Sequence, residues 1–241
     1  MKNNMGEEIS YSVIVPLYNE EDTVPSLYSG LKQVMDGARE KYEVIFIDDG
    51  SKDSTLIKLK ELCKADKNMR IIQFDVNRGQ GKAMEEGFRN AQGSIIISMD
   101  GDMQNDPRDI PSLILGIKQG FDLACGWRYK RGDSFVKRIK SKIGNYLQRK
   151  ITGLNIHDIG CAMRAYKREI VEGLTFQGRY DHSLLPYVIS KTKKIKITEI
   201  RIRDNYRKFG ETKYGHLSTA IGTIYDYIKL VLLSSKDFGK R

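Results

Sequence analysis

Short apolar runs rich in β-branched residues recur along the first half of the chain, and each ends in polar turn residues. They are Ile9–Leu17 (ISYSVIVPL), Tyr42–Ile47 (YEVIFI), Met69–Phe74, Ser94–Met99 and Asp122–Cys125. Their length and composition predict strands. The intervening stretches Val24–Met35, Ser54–Ala65, Lys82–Ala91 and Pro107–Lys118 carry helical patterns. Pro25 falls in the first turn of the first, where its missing N–H has no intrahelical partner to lose. Leu56, Leu59 and Cys63 share one face of the second. Strand–helix alternation with nearly continuous apolar strands predicts an α/β fold, with a mostly parallel central sheet covered by helices on both faces. Such sheets bind ligands beyond the carboxyl ends of their strands. Three polar strand tails are therefore the place to look for chemistry: PLYNEED, DDGSKDS and DGDMQND.

The second half is less regular. Asp133–Ile151 predicts a basic amphipathic helix, with Phe135, Ile139, Ile143, Tyr146 and Leu147 on one side. Lys194–Arg203 (KIKITEIRIR) alternates like a strand. Leu217, Ile221, Ile224, Ile228 and Val231 lie at helical spacing within Leu217–Leu233. No Pro/Gly/Ser-rich linker interrupts the chain. The expectation is one domain over residues 1–215 and an amphipathic, juxtamembrane-type helix over 216–241.

Composition narrows the classes. With 40% hydrophobic and 30% charged residues, the chain can bury enough apolar surface to exclude wholesale disorder. Its three cysteines (Cys63, Cys125, Cys161) are widely spaced, and its three histidines lack HExxH spacing. A disulfide scaffold and a cysteine zinc site are excluded on that pattern. The first residues, MKNNMGEEISYS, carry no basic-then-apolar signal segment, and no uninterrupted apolar stretch reaches spanning length. The formal charge of +10 is concentrated. Residues 128–150 hold nine basic groups and one acid, and residues 191–213 hold nine and three. The rest of the chain is slightly acidic, so the two blocks suit a phosphate-bearing partner: nucleic acid, anionic lipid or nucleotide.

Asp100-Gly101-Asp102, followed by Gln104 and Asp106, ends an apolar strand. Carboxylates two apart at such a turn can converge on one hard divalent cation, Mg²⁺ or Mn²⁺, that keeps positions open for substrate phosphate. A calcium loop is a poor fit, because the EF-hand glycine and the closing glutamate are missing. Asp48-Asp49-Gly50-Ser51 ends the second strand. Its acids could accept from a base N–H and from ribose hydroxyls, or serve a turn with Ser51 or Asp53 as helix cap; both roles can hold together. Tyr18 of Pro16-Leu17-Tyr18-Asn19-Glu20 could stack on a base or pack on the following helix. Arg78-Gly79-Gln80-Gly81-Lys82 lacks the phosphate-loop and dinucleotide patterns, and reads as a glycine turn opening a helix.

PLYNEE, VIFIDDGSKDST, NRGQGKAMEEGF, SMDGDMQNDP and CGWR, in that order and spacing, resemble family-2 glycosyltransferases of the GT-A fold. DIGCAMRAYKRE, GRYDHSLLPYV and RKFGETKYG extend the resemblance to the dolichyl/polyprenyl-phosphate branch, over about residues 10–215. The resemblance implies that Pro16, Tyr18, Glu20 and Asp48 hold the donor nucleoside, lined by Phe46. Asp100, Gly101, Asp102 and Gln104 would hold the donor diphosphate, with Asp100, Asp102 and Gln104 as ligands of Mg²⁺ or Mn²⁺. Arg128, Arg207 and Lys213 would grip phosphates, while Asp158, Arg164 and Arg131 would serve the acceptor side. Asp102, Asp158 and Arg128 are the implied catalytic residues. GETK stands where the family usually has a small residue followed by serine and lysine; Thr212 keeps the hydroxyl. The transmembrane pair that many members carry after this domain is not in the sequence.

The implied activity is inverting, metal-dependent transfer of a hexose, from a donor of the GDP-mannose or UDP-glucose type, to a polyprenyl phosphate. The setting would be the cytoplasmic face of the membrane. The protein would be peripheral or held by transmembrane helices absent from this chain, with homo-oligomerisation left open. Family-2 transfer to a saccharide or protein hydroxyl is the alternative enzyme. A nucleotidyltransferase with a related sheet would release pyrophosphate instead. A nucleic-acid-binding protein is the rival suggested by charge, but the aromatic RNA-binding signatures are missing, and no nucleic-acid partner is expected.

Overall fold

The computed structural model describes residues 8–129, 146, 149–150, 152–175 and 185–205. Seven strands form one sheet: β1 (Tyr11–Leu17), β2 (Tyr42–Asp48), β3 (Met69–Gln73), β4 (Ile95–Ser98), β5 (Leu123–Arg128), β6 (Arg164–Lys167) and β7 (Ile197–Ile202). Their order is β3-β2-β1-β4-β6-β5-β7. All pairs are parallel except those of β6, which runs against both β4 and β5. The helices are α1 (Val24–Asp36), α2 (Thr55–Ala65), α3 (Gln80–Asn90), α4 (Ile110–Lys118), α5 (Arg168–Val171) and α6 (Leu185–Thr192).

Strand parity sorts the core into two layers. Val13, Val15, Val44, Phe46, Ile97 and Ala124 face α1, α2 and α4, meeting Leu27, Leu31, Leu59, Leu113 and Ile117. Ile14, Ile45, Ile47, Ile96 and Leu123 face the other way, onto Ala83, Met84 and Phe88 of α3 and Ile170 and Ile189 beyond. Burial on both faces explains why β1 and β2 read as unbroken apolar runs rather than alternating ones. Each fully buried Leu or Ile contributes about 1.5–3 kcal/mol by leaving water. The edge strands β3 and β7 are only partly buried.

The expected strands and the first four helices are all present, with ends shifted by a few residues. α3 starts at Gln80, and a 3-10 turn at Pro107–Asp109 precedes α4. β6, α5 and α6 were not expected. Arg164–Lys167 (RAYK) is too short and too polar to signal a strand. It becomes one because β4 and β5 each present an edge to it. The expected helix at Asp133–Ile151 falls largely outside the described residues, and that at Leu217–Leu233 wholly outside.

Chain order reverses between β1 and β4: successive strands first add outward through β2 and β3, then β4 returns to the far side of β1. Pairing of β1 with β4 stops at Ile14–Ser98, whereas β1 continues beside β2 to Leu17–Asp48. Pro16 lies in that unpaired stretch, where its missing N–H deprives no neighbour. The carboxyl ends of β1 and β4 are therefore the point of reversal where open α/β sheets bind ligands.

Candidate active site

The loop after β1 is tied to the start of α2. The backbone N–H of Asn19 donates to Ser51 Oγ at 2.9 Å and that of Glu20 to Thr55 Oγ1 at 2.8 Å. Asn19 Oδ1 in turn accepts from the Lys52 N–H at 2.8 Å. Asn19 adopts φ 51°, which asparagine tolerates better than most residues. Pro16, Tyr18 and Glu20 are all partly buried along this rim.

Asp48 and Asp49 divide their work. Asp49 accepts from the backbone N–H groups of Arg78 (2.6 Å) and Gly79 (2.9 Å) and from Asn77 Nδ2 (3.0 Å). Burial pushes its carboxyl upward, and those backbone donors work against the shift. Asp49 is thus the fastener of the 77–79 turn. Gly50, at φ +70°, fits under that turn, since a Cβ there would lie 2.6 Å from the Val76 carbonyl carbon. Asp48 is 1% exposed, and its Oδ1 is a buried acceptor with no hydrogen-bond partner. Buried polar atoms are rarely left so, and a ligand N–H or O–H is what this oxygen lacks.

The DGD turn follows β4. Asp102 Oδ1 accepts from the Gln104 N–H at 3.0 Å, and Met103 takes φ 62°, bending the chain back. Gly101 is required by packing: a Cβ there would lie 2.2 Å from Leu17 Cδ2. Asp100 Oδ1 accepts from Gln80 Nε2 at 2.6 Å. Burial, and next the charge of Asp102, push the Asp100 carboxyl well above the usual range, with Arg128, Gln80 and Arg164 opposing. Two adjoining carboxylates in a desolvated turn fit a hard divalent cation, which would relieve their repulsion. Among the described residues, no group of three or more His, Cys, Asp or Glu side chains is arranged to hold an ion. An ion at Asp100 and Asp102 would thus complete its shell from a substrate or water, as Mg²⁺ commonly does. The backbone of Gln104 is also tied, its carbonyl accepting from the Asn205 N–H at 3.0 Å.

Arg128 ends β5 and meets Asp158 in a two-pronged pair: Nε to Oδ2 at 2.7 Å and Nη2 to Oδ1 at 2.9 Å. The Arg128 side chain is 15% exposed and that of Asp158 5%. Burial works against the arginine's charge, and the bonds and charge of Asp158 more than offset it, holding the guanidinium protonated. Asp204, just past β7, adds to the same effect. It is a further carboxylate at this edge that no sequence motif marked.

Three expected roles change. Phe46 is fully buried in the sheet core among Val44 and Leu59, so it does not line a nucleoside. Its parity on β2 turns the ring onto the helix layer. Arg164 is 2% exposed, and its Nη2 donates to the Ile159 carbonyl. Its guanidinium is engaged inside the sheet, and its charge bears on Asp100 from there. Asp158, expected as an acceptor-side carboxylate, spends both oxygens on Arg128. Cys125 and Cys161 are buried, each thiol pushed up to about 12 by desolvation, so neither is a nucleophile. Arg131, Arg207 and Lys213 lie outside the described residues. Sequence reasoning missed Gln80, which holds Asp100; the glycine turn around it was the one available signal.

The sequence profile of glycosyl transferase family 2 matches residues 12–175. The chain belongs to that family. Among curated proteins this family-2 chain is 33% identical, over 232 residues, to the dodecaprenyl-phosphate galacturonate synthase of Rhizobium johnstonii. That alignment covers 95% of this chain and 68% of the relative. It is 34% identical over 219 residues to the undecaprenyl-phosphate 4-deoxy-4-formamido-L-arabinose transferase of Aeromonas hydrophila, covering 90% and 66%. The chain thus spans about two thirds of the length of these relatives. Among solved structures it resembles glucosyl-3-phosphoglycerate synthase from Mycobacterium tuberculosis, crystallised with Mn²⁺ and uridine diphosphate. The TM-score is 0.69 at 19% identity, over 94% of this chain and 79% of that one. The same enzyme was also crystallised with Mg²⁺ and uridine diphosphate. This likeness shows the GT-A fold.

Proposed function

We propose that this family-2 glycosyltransferase moves a sugar from a nucleotide diphosphate sugar to a polyprenyl phosphate at the cytoplasmic face of a membrane. The observation that carries the reading is the set of carboxylates at the strand ends around the point of strand reversal. It comprises a buried acceptor without a partner, Asp48 Oδ1, and the adjoining carboxylates Asp100 and Asp102. The first suits a nucleoside N–H or hydroxyl; the second suits a cation-bound diphosphate. The two curated relatives, named for prenyl-phosphate acceptors, support the acceptor class.

Asp48 accepts from the nucleoside, with Tyr18 and Glu20 at its rim. Asp100 and Asp102 would hold Mg²⁺ or Mn²⁺, assisted by Gln104, and the ion would supply charge neutralisation for the diphosphate. Gln80 keeps Asp100 oriented. Arg128, aimed by Asp158, stabilises the charge that grows on the leaving diphosphate, which is the form of help most effective in a water-poor site. Arg207 and Lys213 are assigned to the same phosphates, and Arg131 to the acceptor phosphate, on resemblance alone. The second pKa of a phosphate monoester is about 6, so the acceptor is mostly a dianion near neutral pH. Such a nucleophile requires positioning more than a general base, in keeping with the engagement of Asp158 elsewhere. One acceptor oxygen bonds to the anomeric carbon as the bond to the diphosphate oxygen breaks. The nucleoside diphosphate leaves with the electron pair, and the configuration inverts.

The expected hexose is one donor choice. The relatives are named for a uronic acid and a formamido pentose, so the donor panel must include all three sugar classes. The test is extraction of labelled sugar into organic solvent from reactions with undecaprenyl phosphate, each donor and Mn²⁺. Label that stays in water with every donor, but passes to a saccharide, would favour transfer to a hydroxyl and defeat this reading.

A further inference from the structure

We infer that Glu199, acting with His157, is a positioning residue for Arg128, reached through Asp158 from the opposite face of the sheet. The inference rests on the role given to Arg128 above. Asp158 sits in a stretch, residues 153–163, that has neither helix nor strand, held by a backbone turn from the Cys161 N–H to the Asp158 carbonyl at 3.1 Å and by side chains. Glu199 is one of them. Its Oε1 accepts from the backbone N–H of His157 at 2.7 Å and, more weakly, from that of Asp158 at 3.4 Å. Its Oε2 accepts from His157 Nδ1 at 2.7 Å. The His157 ring also stacks on Trp127, with centroids 4.4 Å apart and planes 15° from parallel.

The dipeptide His157-Asp158 is therefore clamped to two neighbouring strands. Trp127 belongs to β5 and Glu199 to β7, where Cys125 pairs with Glu199 and Trp127 with Arg201. The next residue after Trp127 is Arg128, and Asp158 grips it by Nε, Nη2 and its backbone N–H. A chain of contacts thus runs from Glu199 through His157 and Asp158 to the guanidinium whose charge bears on Asp100. The Glu199 side chain is 14% exposed, enough shielding for its bonds to hold the backbone in one place.

The test uses Glu199→Ala, Glu199→Gln and His157→Ala in the intact chain. Glutamine keeps an oxygen that accepts from both backbone N–H groups; alanine removes it. The first readout needs no substrate: the ¹H–¹⁵N signal of Arg128 Nε–H, assigned by its disappearance in Arg128→Lys. It is expected as a slowly exchanging peak in the wild type and in Glu199→Gln, and lost to exchange in Glu199→Ala. The second is turnover at saturating donor, expected to fall about tenfold to a hundredfold in Glu199→Ala, the scale of a small misplacement of a catalytic group. Donor KM changes little and Glu199→Gln stays near the wild-type rate. Combined with Asp158→Asn, Glu199→Ala is expected to add nothing further, because both break one chain. His157→Ala keeps the backbone bonds and is expected to weaken the Nε–H signal partially, which supplies the test if Glu199→Ala does not fold. Retention of the Nε–H signal and the wild-type rate in Glu199→Ala overturns the inference, as do losses that multiply with Asp158→Asn. If no acceptor supports turnover in the wild type, the functional reading fails while the Nε–H signal still decides this one.

Discussion

Replacing Asp48 by asparagine is expected to make the ligand-free protein more stable while weakening its grip on the nucleotide. The side chain is 1% exposed and its Oδ1 has no partner. An unmet buried polar atom costs about 1–3 kcal/mol, and more when it carries charge. Asparagine keeps the shape, so no cavity opens, and it removes a negative charge next to Asp49. A gain of about 1 kcal/mol or more follows, which in a chain of this size raises Tm by about 2–4 °C. A hydrogen bond from a nucleoside to a carboxylate is stronger by about 1–1.5 kcal/mol than one to the amide oxygen that asparagine keeps, so Kd is expected to rise about 5- to 10-fold. Urea unfolding with and without nucleotide, together with titration calorimetry against UDP and GDP, reads both quantities. At equal nucleotide concentration the wild type should gain more stability than the variant, since a ligand bound to the folded state stabilises it in proportion to its affinity. A variant that is less stable than the wild type and binds nucleotide equally well would refute the reasoning.

Asp102→Ala is expected to abolish turnover without loss of fold, because the residue sits at a strand end outside the core; full activity of the variant in EDTA-treated buffer would contradict the metal assignment. Gly101→Ala forces a methyl within 2.2 Å of Leu17 Cδ2 and is expected to cost about 1–3 kcal/mol. Leu17→Ala alone should cost about 2–5 kcal/mol, and the double variant less than the sum, since the new methyl enters the vacated space; additive losses in urea unfolding would speak against that packing. Vesicles containing anionic lipid are expected to sediment the protein, less so as salt screens the basic block at residues 128–150. Replacing Lys137, Arg138, Lys140 and Lys142 by glutamine should release it, and sedimentation indifferent to lipid charge would remove that block from the membrane role.

The first half of the sheet was legible because burial on both faces leaves an unmistakable mark on β1, β2 and β4. Phe46 was misplaced for a related reason. A strand buried on both sides carries no alternation, so nothing in YEVIFI tells which residues face the helices and which reach the carboxyl end. Only the register with β1 and β3 does so. The split between Asp48 and Asp49 was equally hidden. Two adjacent acids look alike in sequence, yet pleating leaves Asp48 on the side of Phe46 with an unpartnered oxygen and turns Asp49 onto the backbone of residues 77–79.

The acceptor-side half of the site was harder to read because of β6. In a parallel sheet, functional residues follow their strands, and a search of strand tails finds PLYNEED, DDGSKDS and DGDMQND. A strand that runs backwards delivers its leading segment to the same edge. Asp158 comes before β6 and Arg164 starts it; antiparallel pairing with β5 sets Arg164 opposite Cys125, and Asp158 meets Arg128. Resemblance supplied Asp158 and Arg164 as residues, but periodicity offered no hint of a reversed strand four residues long. The reversal also separates their fates. Arg164 lies inside the strand and is drawn into the sheet, where it donates to Ile159. Asp158 lies in the loop before it, and needs an outside hold to face Arg128. Glu199, two strands away in the sheet order and some forty residues later in the chain, provides that hold, which is why no local motif could have announced it.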